Sequence, residues 1–191
     1  MFKNEDELKS DIRLSVWSGM QPPDYVLNRL ADCYEIDAND ERFQDLVFGE
    51  FYRKEQAEET WPSVTDCDRL QQAFEALNGA GVIAIHEAGW DMGGAFHNCR
   101  EVYQEHPNKA EMFGVCYYTS QDISSAIDCQ SLYLGFGSTR PEDEAVDSPR
   151  AAEAIKAELE KVGLKVEWNG DTTRRIKVAI EWLWRNWTSP S

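Results

Sequence analysis

Apolar residues recur at helical spacing through the first sixty positions of the chain. Leu8, Ile12 and Val16 form one stripe and Gly19 closes that segment. Pro22-Pro23-Asp24 opens a second helix carrying Val26 and Leu30. A third runs from about Asn39 with Phe43, Leu46, Val47 and Phe51 on one side; Lys54 to Thr60 turns polar and Trp61-Pro62 stops it. These faces are too apolar for a solvated tail, so residues 1–60 read as a helical annex that docks on itself or on the rest. Thr65-Asp66-Cys67-Asp68 fits a capping box with Asp in place of Glu, and Leu70, Phe74 and Leu77 follow as a stripe up to Asn78-Gly79.

The period then changes. Residues 82–86 (VIAIH) are a short apolar run, the mark of a strand buried on both faces. A helix bearing Ala95, Cys99, Val102 and Tyr103 ends near His106-Pro107. Strands are expected at Phe113–Tyr118 and Leu132–Phe136, with a short helical turn at about Asp122–Asp128 between them. Ser138 to Asp147 reads as an acidic loop. Ser148-Pro149 then reads as an N-cap and first helical proline for a helix with Ala152, Ile155, Leu159 and Val162 inward and Gly163 as its C-terminal cap. Leu164, Val166 and Trp168 alternate, Asn169-Gly170-Asp171 turns, and Ile176, Val178, Ile180 and Trp182 alternate again, as in a hairpin with a longer loop. The order strand, helix, strand, strand, helix, strand, strand over residues 61–191 predicts an α+β domain: a ferredoxin-like (split βαβ) sheet with an added C-terminal strand. If the turn at 122–128 is a true crossover, the first three strands are parallel instead and the fold is three-layer α/β.

Composition narrows the function classes. The chain has 191 residues, 42% of them hydrophobic and 12% aromatic, which is enough apolar surface for a sizeable core. The formal charge is -16, and it is uneven. Residues 1–64 hold 15 acidic and 7 basic side chains, residues 65–130 hold 10 and 3, and residues 131–191 hold 10 and 9. Nucleic-acid binding through a basic footprint is therefore not expected, whereas cationic partners are favoured. Cys33, Cys67, Cys99, Cys116 and Cys129 are odd in number and widely spaced, without CxxC pairs. That spacing suits buried or free thiols in a reducing compartment better than zinc or disulfides. The N-terminal MFKNEDELKS lacks the apolar core of a signal peptide, and no stretch reaches the roughly 20 apolar residues of a membrane span. A cytoplasmic protein without membrane contact is the expectation.

Candidate chemistry concentrates after the first strand. His86, Glu87, Trp90, Asp91 and His97 lie where that strand runs into a Gly-rich loop and a helix. Glu87 and Asp91 would repel a phosphate at the helix N-terminus, so a cation or neutral polar ligand fits better. His86, Glu87, Asp91 and His97 are residue types that bind divalent metals, but Trp90 stands where an HExxH motif has its second His, and Asp91 equally reads as a helix cap. No metal and no cofactor is expected. Thr119, Ser120, Gln121 and Asp122 follow the second strand. With the first two strands parallel, both polar groups reach the same end of the sheet, where Tyr117, Tyr118 and Trp90 can wall a cleft. His86 and Glu87 as an acid/base pair is disfavoured because adjacent strand residues point to opposite faces. Trp182, Leu183, Trp184 and Trp187 read as core closure or as an aromatic patch for a partner or second copy.

The segments WPSVTDCDRL at 61–70, GVIAIHEAGWDMGGAFHNC at 81–99, GVCYY at 114–118 with Gln121-Asp122, LYLGFG at 132–137 and VEWNG at 166–170 together resemble a family of uncharacterised bacterial proteins, a domain of unknown function, over roughly residues 60–182. The resemblance implies no activity and assigns no role to any residue. The leading expectation is a cytosolic acidic binding protein of the immunity or antitoxin type, masking a basic protein partner. The alternative is a small-molecule enzyme or sensor whose polar cleft comprises His86, Glu87, Asp91 and Gln121. A structural or oligomerising domain using the Trp-rich C-terminal segment is a third reading; composition leaves the oligomeric state open.

Overall fold

The computed structural model describes residue 2 and residues 4–185; Trp187, counted above among the C-terminal aromatics, lies outside them. The described residues form seven helices and one five-stranded mixed sheet, an α+β protein. None of the helices is long and apolar enough to cross a membrane. The chain divides into two compact units, one running to Thr65 and including the segment from Leu183, the other Asp66–Trp182.

The first unit is a three-helix assembly of α1 (Glu5–Ser18), α2 (Pro23–Tyr34) and α3 (Glu41–Glu58). Gly19 ends α1 in the left-handed conformation, Pro23 opens α2, and the Asp40 side chain caps α3 by accepting from the Phe43 amide at 2.9 Å. Leu8, Ile12, Val16, Val26, Leu30, Phe43 and Val47 make its core. Two buried-edge hydrogen bonds tie the helices: Trp17 Nε1 donates to Glu50 at 2.7 Å and the Tyr34 hydroxyl to Asp11 at 2.7 Å. Lys54, read from sequence as the start of a polar stretch, is buried. Its ammonium pairs with Glu58 at 2.7 Å and lies 5.6 Å from the Trp61 ring centroid, so the stem fills apolar space while the charge stays compensated.

The second unit contains α4 (Asp66–Gly79), β1 (Val82–Ile85), α5 (Met92–Glu105), β2 (Gly114–Tyr117), α6 (Ser120–Cys129), β3 (Ser131–Ser138), α7 (Glu144–Lys161), β4 (Lys165–Glu167) and β5 (Ile176–Ala179). The strand order is β1-β2-β3-β5-β4. β1 and β2 are parallel neighbours joined through α5, and every other pairing is antiparallel. This corrects the expected strand order at one end. The first βαβ is not split, because no strand enters between β1 and β2. A split βαβ does occur at the other end, where α7 links β3 to β4 and β5 lies between them, antiparallel to both. Nor are the first three strands parallel. α6 is a full helix of 10 residues rather than a short turn, yet it returns the chain antiparallel to β2.

The start of α7 is the second correction. The segment expected to be an acidic loop is the end of β3, a 3-10 turn at Pro141–Asp143, and the first turn of α7, so Pro149 lies inside the helix. Pro149 deprives the helix of the bond its N–H would make to the Ala145 carbonyl. Offsetting that, buried Asp147 pairs with Arg140 at 2.9 Å, and Glu144 and Asp147 place negative charge at the positive end of the helix. At its other end α7 closes as the sequence predicts: Gly163 has φ 90, its amide donates to Glu160, and the Leu164 amide donates back to Leu159.

Two faces of the sheet are covered differently. Gly114, Cys116 and Tyr118 face α4 and α7; a Cβ on Gly114 would meet that of Ala151 at 2.6 Å, so glycine there lets α7 approach. Ile83, Val115 and Tyr117 face the other way, toward α5, and form a cluster with Ala95 and Cys99.

Candidate functional site

Because β1 and β2 run parallel, the loops that follow them leave from one end of the sheet, and backbone bonds lace them together. Ala88 donates to the Tyr118 carbonyl at 2.8 Å, Ser120 to Gly89 at 3.0 Å and Gln121 to Trp90 at 3.4 Å. The Asn98 side chain adds a bond from α5 to the Ala88 carbonyl at 2.8 Å.

His86 turns toward α4. Its ring stacks on Phe74 at 4.4 Å between centroids, and its Nδ1 shares a 2.9 Å hydrogen bond with the Tyr118 hydroxyl. Burial lowers the imidazole pKa to about 4, so the ring is neutral at physiological pH. Tyr118 is fully buried, edge-on to Trp182, and burial pushes its hydroxyl well above the ordinary value. Glu87 turns the other way. It adopts φ 46, left-handed and unusual for a non-glycine residue, and its carboxylate accepts from the Ser120 hydroxyl at 2.9 Å. His86 and Glu87 therefore do not face one substrate; β1 ends at Ile85, so it is the turn at 86–87, with Glu87 left-handed, and not strand alternation that separates them.

Asp91 caps α5, accepting from the Gly94 amide at 3.0 Å. His97 is on the solvent side of α5, 3.2 Å from Glu101. Gln121 is exposed, and Trp90 is 65% exposed. Asp122 is the most engaged of the group. Thr119 and Asp122 form a reciprocal capping box at the start of α6, and the same carboxylate receives Arg175 Nη1 at 2.8 and 3.0 Å on its two oxygens. Among the described residues no three His, Cys, Asp or Glu side chains converge as a metal-binding group. All five cysteines are free thiols. Burial raises Cys99 to about 12 and Cys116 further still, which makes both poor nucleophiles. Trp182 is buried in the second unit, while Trp184 lies against Gly19 in the first, where a Cβ would come 2.6 Å from the Trp184 carbonyl oxygen.

Two surface features escape the sequence reading above. On α3, Glu41, Asp45, Phe48, Tyr52 and Glu55, continued by Glu59 at the helix end, are all exposed and spaced four, three, four, three and four residues apart. That spacing keeps all six within about 40° of one line along the helix. Phe48 is 40% and Tyr52 63% exposed, in the middle of four carboxylates. The signal was available as a second stripe, offset from the buried one. The other feature is a groove of about 560 Å³ beside α5, floored by β3. Its signal was Gly135-Phe136-Gly137, two glycines on one face of a strand.

These features define an acidic, two-unit α+β protein whose strand-end polar residues mostly bind one another. The family model of the domain of unknown function DUF6891 matches residues 2–186, and the chain belongs to that family. The match takes in the helical annex as well as the sheet unit. No curated protein and no solved structure matches the chain significantly.

Proposed function

We propose that this protein is a cytoplasmic binding module of the immunity or antitoxin type, which masks a basic protein partner with the acidic stripe of α3. The observation that carries this reading is the placement of Phe48 and Tyr52, exposed and flanked by Glu41, Asp45, Glu55 and Glu59. A large aromatic in the centre of an interface supplies affinity by burial, and carboxylates around it supply partner choice and association rate. The stripe lies in the part of the chain that carries -8 of the total charge. The alternative, a small-molecule enzyme or sensor at His86, Glu87, Asp91 and Gln121, draws less support: Glu87 and Asp91 are committed to loop and cap bonds, and His86 to Tyr118.

The test compares tagged wild type with Asp45→Lys/Glu55→Lys in pull-downs from native lysate. A basic protein retained by wild type at low salt, released at 0.5 M salt (roughly a threefold shorter screening length) and lost by the variant is the expected result. Equal recovery by both proteins removes the reading.

A further inference from the structure

We propose that the groove between α5 and β3 is a binding site for a small planar aromatic acid, separate from the α3 stripe and independent of the reading built on it. The argument starts at the glycines of β3. In antiparallel pairing, directly opposed residues share a face. Gly135 is opposite Tyr117 and Gly137 opposite Val115, so both glycines look toward the side that α5 covers. α5 packs on β1 and β2. Beside it, on β3, two successive positions on that face carry no side chain, and a trough results.

The two glycines have different reasons to be there. A Cβ on Gly135 would fall 2.5 Å from the Tyr117 ring, so that glycine is required by packing. A Cβ on Gly137 would meet nothing within 4 Å. Packing does not require glycine at 137, where β-branched and aromatic residues favour a strand. The fold leaves this space open, and a volume of about 560 Å³ is within the range of small-molecule pockets.

The lining fixes the ligand class. Phe96, 73% exposed, stands at the lip; Tyr103 and Tyr117 form walls, and Gly137 is the flat floor. A slot with aromatic walls and a side-chain-free floor suits a planar ring. The polar complement includes Arg100 and Glu144. Glu144 keeps its charge but is tied to the β3–α7 side of the lining, where it accepts from the Ser148 hydroxyl and the Ser138 amide. Arg100 lines the groove and makes no hydrogen bond or ion pair within the described residues, unlike Arg69, which pairs with Asp66 at 2.7 Å. A guanidinium beside an apolar slot selects a carboxylate on the ring. The acidic character of the molecule as a whole does not cancel this, since charges beyond roughly 8 Å are screened at physiological salt. Cys99 also lines the groove, and its raised pKa makes it a wall rather than a nucleophile.

The experiment titrates full-length protein with naphthoate and with its neutral counterpart naphthalenemethanol, by calorimetry and by amide chemical shifts. Wild type is expected to bind naphthoate with shifts at residues 96–104 and 135–139. Arg100→Gln, on an exposed position that leaves the fold intact, should weaken naphthoate roughly tenfold or more and leave naphthalenemethanol unchanged. Gly137→Val fills the trough and should abolish both while retaining the wild-type circular dichroism. Absence of binding to wild type overturns the proposal, as does unchanged affinity in a folded Gly137→Val. Equal loss of both ligands in Arg100→Gln overturns the assignment to acids. Neither result bears on the α3 stripe, which the pull-down tests separately.

Discussion

His86 shows how one side chain can look catalytic in sequence and be structural in place. A histidine beside a glutamate at a strand end is a common arrangement for proton transfer. Here the two point apart, and the imidazole is stacked on Phe74 and bonded to Tyr118. Its lowered pKa has a stability consequence. The unfolded chain takes up a proton near pH 6.5 while the folded chain resists until about pH 4, so the unfolded state binds more protons in that window and stability falls as pH drops through it. The loss attributable to His86 is at most about 3 kcal/mol. Urea unfolding at pH 7 and pH 4.5 should show a larger decline for wild type than for His86→Phe; parallel declines would mean that the ring is not buried in its neutral form. The two side chains part for a reason other than the expected strand alternation, since the strand stops at Ile85 and Glu87 is left-handed; the Tyr118 partner was not legible, because 32 residues separate it from His86.

Element boundaries were legible where a local signal decides them. Gly19 and Gly163 end their helices as the sequence predicts; Asp40 and the Thr119-Asp122 pair cap α3 and α6 through equally local bonds, although the sequence pattern opens α3 at about Asn39 and offers the second pair as part of a candidate polar cluster. Ser148-Pro149 misled because the true start of α7 depends on Arg140 reaching Asp147, a contact that the local pattern of caps does not encode. Asp122 has a role in both kinds of contact, capping α6 and receiving Arg175 from the approach to β5. Asp122→Ala should therefore cost more than an ordinary cap, about 2–4 kcal/mol, since it removes the box and leaves Arg175 without its carboxylate. In a double-mutant cycle with Arg175→Leu, denaturant unfolding should give a coupling of about 1–2 kcal/mol. Additive losses would show that the ion pair contributes nothing.

At the scale of the molecule, the α+β class and the presence of a helical annex followed from periodicity, whereas strand order did not. Which strands are neighbours is settled by contacts between distant segments, and a sequence of alternating residues is compatible with several orders. The groove shared this fate: the glycines of β3 were visible, but their meaning depended on β2 lying next to them with α5 above. Net charge has a global effect that requires no partner. With a formal charge of -16, self-repulsion opposes the folded state and salt relieves it. The thermal midpoint should rise by about 2–4 °C between 10 mM and 0.5 M sodium chloride, the change that roughly 1 kcal/mol produces in a chain of this size. A midpoint that fell with salt would mean that favourable ion pairs, such as Arg140 with Asp147, outweigh the repulsion.

The insertion of β5 between β3 and β4 has a bearing on synthesis. The chain supplies β4 before the strand that must separate it from β3, and in the finished sheet those two strands stand roughly 10 Å apart, the width that β5 occupies. Closing that gap early would join β3 to β4 as parallel neighbours and shut β5 out. The antiparallel pairing of β4 with β5, close in sequence, guards against that error: formed first as a local hairpin, the two strands can add to the edge of β3 together, through β5.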